Sequence, residues 1–177
     1  VVTGIPGQGK TTFVNDIACR VAEKHNWTVA IASFEQHPQA DHRRALREWY
    51  LERPLQHCLP QDLERADKWI DEHFVFIVPS EDDFANLEWT LDKCATAVIR
   101  YGARVVIIDP WNELDHDRPP DMSLTEYTGK AIKAFKGLAR RLDVHVIVVA
   151  HPTKLTSGEI PRDRKSTRLN SSHTAES

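Results

Sequence analysis

The chain has 177 residues, 41% of them hydrophobic, a formal net charge of −3 and a mean hydropathy of −0.46. That length suits one domain with a proper core, and the charge excludes a strongly basic protein that coats nucleic acid, although it leaves room for local basic loops. No apolar run is long enough to cross a membrane and no signal peptide precedes the first expected strand, so a cytoplasmic or organelle-matrix location is expected rather than secretion.

Val1–Thr3 reads as the end of an apolar strand. It leads into Gly4-Ile-Pro-Gly-Gln-Gly-Lys-Thr11, which fits G-x-x-x-x-G-K-[ST], and a helical pattern follows over Lys10–Lys24. The order matters because such a loop works by geometry. Gly4, Gly7 and Gly9 let the backbone curl so that its N–H groups and the helix N-terminus converge on phosphate oxygens. Pro6, Gln8 and Thr12 complete the candidate nucleotide-binding set. Lys10 is placed to reach the β- and γ-phosphates, and the Thr11 hydroxyl to ligate Mg²⁺. The expected ligand is a nucleoside triphosphate, ATP or another, with Mg²⁺.

A second strand, Thr28–Phe34, ends in Glu35. If this strand adjoins the first, Glu35 lies beside the γ-phosphate, where it can orient or deprotonate water. Helical patterns cover Ala40–Leu51 and Asp62–Glu72, and the basic stretch Arg43, Arg44 and Arg47 reads as a solvated helix face. The strand Phe74–Val78 precedes a helix over Phe84–Tyr101, with Ser80, Asp82 and Asp83 as start signals and Gly102 as its end. A fourth strand, Arg104–Ile108, ends in Asp109, which fits a Mg²⁺-holding aspartate of the Walker B type. Pro110 comes next, so no adjacent glutamate can activate water, and Glu113 in the loop is the rival to Glu35.

The polar stretch Pro110–Asp121 is long for a connection at this face. His116 between Asp115 and Asp117 has the look of a metal cluster but lacks further ligands at regular spacing. After a helix over Leu124–Leu142, the strand Val144–Ala150 ends in His151, which points where a γ-phosphate sensor would stand, while His145 reads as structural. Cys19, Cys58 and Cys94 are odd in number and match no zinc spacing, so buried reduced thiols are expected. Short strands apolar on both faces, alternating with helices, predict a doubly wound, mostly parallel α/β domain with ligands at the carboxyl ends of its strands.

The motifs converge in order: the phosphate loop, Ser33-Phe-Glu35, Asp109-Pro-Trp-Asn-Glu-Leu-Asp-His116, Arg118-Pro119, Thr125-Glu-Tyr127 and Val148-Val-Ala-His-Pro152. Together they resemble the RecA-like P-loop motor domain of Twinkle-like replicative helicases, relatives of the DnaB helicases, over essentially Val1–Leu155. The resemblance implies an ATP-hydrolysing 5′→3′ DNA helicase, assembled as a homo-oligomeric ring, usually of six subunits, around single-stranded DNA. Carried over, Lys10 and Thr11 bind phosphate and Mg²⁺, Asp109 is the Walker B ligand, Glu35 is the catalytic base and His151 senses the γ-phosphate. Asn112 and Arg118 are the candidate DNA contacts.

Both ends read as cut. Residues 1–155 are the expected partial motor domain and 156–162 a loop at the truncation. Residues 163–177 resemble the translation of a sequencing-library adapter, polar and without apolar periodicity, and are expected to be disordered. The later strands, a further DNA-binding loop and the arginine finger offered to a neighbouring subunit would then be missing, and the fragment alone should hardly hydrolyse ATP. Two other readings remain open: a RecA-like recombination or repair ATPase, and a regulatory ATP switch.

Overall fold

The computed structural model describes residues 1–4, 7–34 and 38–150. Pro6, Glu35 and His151 lie outside them, as do the expected segments beyond residue 150. The strands are β1 (Val2–Thr3), β2 (Thr28–Ser33), β3 (Phe74–Ile77), β4 (Ala103–Asp109) and β5 (His145–Ala150). They alternate with helices α1 (Lys10–His25), α2 (Pro38–Leu51), α3 (Pro60–His73), α4 (Leu87–Tyr101) and α5 (Leu124–Leu142).

Every strand pairing among the described residues is parallel, in the order β1-β5-β4-β2-β3. Side-chain alternation then decides the layers. Val29 and Ile31 of β2, Val105 and Ile107 of β4 and Val149 of β5 pack with Val14 and Ala18 of α1, Leu46 of α2 and Ile70 of α3. Their neighbours Ala30, Ala32, Val106, Ile108 and Val148 pack with Cys94 and Ala97 of α4 and with Ala131, Phe135 and Leu138 of α5. Helices therefore cover both faces, as the two-sided apolar runs predict.

The order of strands leaves one condition of the sequence reading unmet. β2 does not adjoin β1, because β5 and β4 stand between them. Burial gives part of the reason: β2 and β4 are buried along nearly their whole length, whereas β1 and β3 carry half-exposed residues. β5, also interior, has His145 exposed and is buried at Val148 and Val149, so burial marks β2 and β4 as central but does not alone set the order.

Helix ends follow local chemistry. At α5, the Ser123 hydroxyl accepts from the Glu126 N–H at 3.2 Å and the Glu126 carboxylate accepts from the Ser123 N–H at 2.9 Å, a reciprocal cap. α4 starts at Leu87 rather than Phe84. Ser80 and Asp83 close a turn on each other, the Ser80 N–H and hydroxyl donating to Asp83 at 2.9 and 2.8 Å, and Asn86 instead caps the helix by accepting from the Trp89 N–H at 2.9 Å. Gly102, in the left-handed region, ends it as expected.

Two further expectations change. Arg43 and Arg47 are not a solvated face; they clamp α2 onto α3. Arg47 grips Asp67 with two bonds of 2.7 and 2.6 Å, and Arg43 bridges Asp67 and Asp71 while its guanidinium lies 5.6 Å from the Phe76 ring centre. Carboxylates on the facing helix, invisible to local pattern, recruit them. Arg44 does stay exposed, paired with Glu48. Of the thiols, Cys19 and Cys94 are buried but Cys58 is only half-buried, because it lies in the connection after α2.

Candidate functional site

A parallel sheet gathers the ends of all its strands at one edge. The loop after β1 carries Gly7 at φ 78° and Gly9 at φ 73°, left-handed conformations that side chains rarely adopt. Among the described residues nothing lies within 4 Å of where a side chain would begin at either position, so the backbone at both glycines borders open space. Gly9 caps α1 without any side-chain bond, and the first turn of α1 holds no acidic residue. The positive end of the helix is therefore uncompensated by its own first turn, the condition under which a helix start attracts an anion. Thr11 and Thr12 are exposed in that first turn. Lys10 is buried, and its Nζ donates to the Gly4 carbonyl at 2.7 Å, which holds the cation over the loop.

Asp109 closes β4 on the same edge, separated from β1 by β5 alone, roughly 10 Å at ordinary strand spacing. Its side chain is 4% exposed, and Oδ2 has no hydrogen-bond partner among the described residues. An orphaned buried carboxylate oxygen costs on the order of 1–3 kcal/mol unless something outside the chain satisfies it. A cation does so, and with the Thr11 hydroxyl it makes the hard-oxygen donor set that Mg²⁺ prefers. The residues present fit the metal.

Two groups on the sheet face of Asp109 were given no role by the sequence reading. Ser33 is the register partner of Asp109, and its Oγ is buried without a partner among the described residues. His42, from α2, is 6% exposed and its Nδ1 is likewise without a partner there. Burial pushes the imidazole pKa below its ordinary value, against the opposing pull of the Asp109 and Asp41 charges. No local signal marks His42, which the sequence shows only as a polar residue beside Arg43 and Arg44.

The 110–121 loop is anchored rather than free-standing. Trp111 and Leu114 are buried in the α4/α5 core, and the Trp111 ring lies 4.8 Å from His116, 6.1 Å from Tyr127 and 5.9 Å from Phe135. The Asp115 carboxylate accepts from the Ala85 N–H at 2.8 Å, and the Asp115 N–H donates to the Ala85 carbonyl at 3.1 Å. His116, though exposed, lays its ring against Trp111 and Tyr127, and partial desolvation lowers its pKa despite the Asp115 charge. Among the described residues no group of three His, Cys, Asp or Glu side chains could hold a metal. Asn112, Glu113, Asp117 and Arg118 are exposed on the loop, and the Arg118 guanidinium donates to the Met122 carbonyl.

The chain as a whole is similar to known proteins. A family model described as an AAA domain covers residues 1–157. The chain belongs to the AAA domain family. This AAA domain is 33% identical over 164 residues to the Twinkle homolog protein, chloroplastic/mitochondrial, of Arabidopsis thaliana, an alignment covering 88% of the chain and 23% of that protein. The chain thus spans less than a quarter of that relative's length. Among solved structures, an ATPase domain and a DnaB-like replicative helicase share its fold, each at a TM-score of 0.62 and 19% identity over 86% of this chain. They are covered over 56% and 38% of their own chains. The resemblance to Twinkle-like and DnaB-type proteins carried by the motifs is met by these relatives, and the RecA-like fold with it. Nucleotide binding goes with the family. No helix among the described residues is long and apolar enough to cross a membrane.

Proposed function

We propose that this AAA domain is the motor of a replicative DNA helicase, hydrolysing ATP with Mg²⁺ to move 5′→3′ along single-stranded DNA within a homo-oligomeric ring, six-membered in the intact protein. One observation carries the ATPase reading. The uncapped α1 N-terminus with Lys10 and the orphaned carboxylate of Asp109 open onto the same sheet edge. The similarity to the Twinkle homolog supports the DNA role.

The roles follow from placement. The loop backbone from Gly4 to Gly9 and the N–H groups of Lys10, Thr11 and Thr12 bind phosphates, and the Lys10 ammonium neutralises their charge. Thr11 and Asp109 hold Mg²⁺, which when bound offsets the charge that builds on the transferring phosphoryl group. Glu35 is the base that orients the attacking water. It stands two residues after Ser33, the register partner of Asp109, and Pro110 offers no carboxylate in its place. His151 follows directly on β5, the strand between β1 and β4, which favours it as the γ-phosphate sensor. Asn112 and Arg118, exposed on the 110–121 loop, meet the phosphates of DNA.

The test is ATP turnover by the intact protein with and without single-stranded DNA, alongside Glu35→Gln, followed by unwinding of a forked duplex. DNA should stimulate turnover, and Glu35→Gln should lower kcat by at least about a hundredfold. Equal rates with and without DNA would favour a regulatory switch, and stimulation without unwinding a strand-pairing ATPase. A variant that keeps its rate would remove Glu35 as the base.

A further inference from the structure

Beside the candidate cation site lie three buried polar atoms without partners among the described residues: Asp109 Oδ2, Ser33 Oγ and His42 Nδ1. Their placement follows from the strands. Val29 and Ile31 of β2, like Val105 and Ile107 of β4, face α1, α2 and α3. Two residues further along each strand, Ser33 and Asp109 fall on that same face as register partners. α2 covers this face, and His42 enters from it, its ring 6.4 Å from Phe76 on β3 and near enough to Asp109 to feel its charge.

We propose that His42 and Ser33 are positioning residues for the divalent cation at Asp109, holding its hydration shell in register with the carboxylate. This rests on the reading of Asp109 as a metal ligand. Buried polar groups in folded proteins are nearly always bonded, so the orphaned Asp109 Oδ2 and Ser33 Oγ, register partners on one face, point to one shared hydrated ligand, with His42 Nδ1 orphaned on the helix that covers that face. The donor chemistry agrees. A carboxylate oxygen is a first-choice ligand for a hard divalent cation, while a serine hydroxyl and a neutral imidazole suit the waters that such a cation retains. Neither group needs to touch the metal. Outer partners of this kind orient the ligating carboxylate, and their loss weakens metal binding about 10–100-fold.

The experiment uses the intact protein with a non-hydrolysable ATP analogue and Mn²⁺ as the probe, free Mn²⁺ being counted by electron paramagnetic resonance. Affinity for the analogue in EDTA is measured in parallel. His42→Ala should weaken Mn²⁺ binding by about tenfold or more, and Ser33→Ala several-fold, with metal-free analogue affinity within about twofold of the parent. His42→Gln, which keeps a polar partner, should recover most of the loss. Asp109→Asn should lose more than either. If Asp109→Asn abolishes Mn²⁺ binding while the His42 and Ser33 variants match the parent, the proposal falls and the metal site stands. Equal losses of Mn²⁺ and metal-free analogue affinity would also overturn it, since they mean general disruption. Should Asp109→Asn retain full Mn²⁺ affinity, both the proposal and the metal reading of Asp109 fail. Ser33→Ala decides the matter if His42→Ala does not fold.

Discussion

The side chains of this domain divide by whether the chain satisfies them. Asp67, Asp115 and Glu126 all have partners within the chain, whereas Asp109 has an oxygen that nothing in the described residues answers. Cysteine reactivity is governed by the same distinction between buried and accessible. Burial pushes the Cys94 thiol up to about 12 and raises that of Cys19 further, its neighbours Asp16 and Glu23 adding to the effect. At pH 8 Cys94 therefore stays almost wholly a thiol, while the thiolate is the form that attacks an alkylating agent. Brief iodoacetamide treatment of the folded protein should therefore label Cys58 first, with Cys19 and Cys94 modified only after unfolding. Mass spectrometry of the digest would show it, and folded-state labelling of Cys94 as fast as Cys58 would sink the argument. The phosphate loop was legible at this scale because its chemistry is local, with glycines and a lysine at fixed spacing. His42 was not, because its significance lies wholly in what two distant strands place beside it.

At the scale of elements, α2 and α3 are joined by the Arg43 and Arg47 clamp and by the stacked rings of Trp49 and Trp69, 6.0 Å apart. The Arg47 hydrogen bonds outweigh desolvation and hold the Asp67 carboxyl below its ordinary 3.8. A lowered folded-state pKa means that this stabilisation is complete above the ordinary value and lost as pH falls through the lowered one. Asp67→Asn should cost about 1 kcal/mol at neutral pH, given partial solvent screening, and lower Tm by roughly 2–4 °C. The difference between parent and variant should begin to narrow below about pH 4 and close only once pH falls past the lowered folded-state value. Melting curves across pH would check both, and a gap that persists in acid would remove Asp67 ionisation as its source. Element types were readable because apolar period switches cleanly, and α5 has the predicted bounds Leu124–Leu142. The start of α4 was not, because two sets of capping residues compete within a short stretch and only the fold decides that Ser80 and Asp83 close a turn.

Across the whole molecule, sheet order was the least legible property. Val29-Ala30-Ile31 announces a strand buried on both faces but does not name its neighbours, which depend on the summed burial of all five strands. Global stability gives the matching test of the nucleotide site. An ATP analogue with Mg²⁺ at about a hundred times its Kd should stabilise the native state by about 2.7 kcal/mol, and so raise Tm by roughly 5–11 °C. Lys10→Ala should abolish that shift without lowering the ligand-free Tm by more than a few degrees. A shift undiminished in the variant would place the nucleotide elsewhere.

One feature of β4 bears on how such a domain does work. Asp109 belongs to the face covered by α1 and α2, yet Trp111, two residues later, is locked into the core on the opposite side of the sheet. The backbone thus passes from one half of the protein to the other within a single dipeptide. A displacement at the phosphate end has no long relay to cross before reaching the exposed loop beyond. Trp111, Leu114 and the paired bonds between Asp115 and Ala85 fix the start of that loop to the α4/α5 half, so the strand end and the loop beyond it form one continuous, firmly packed piece.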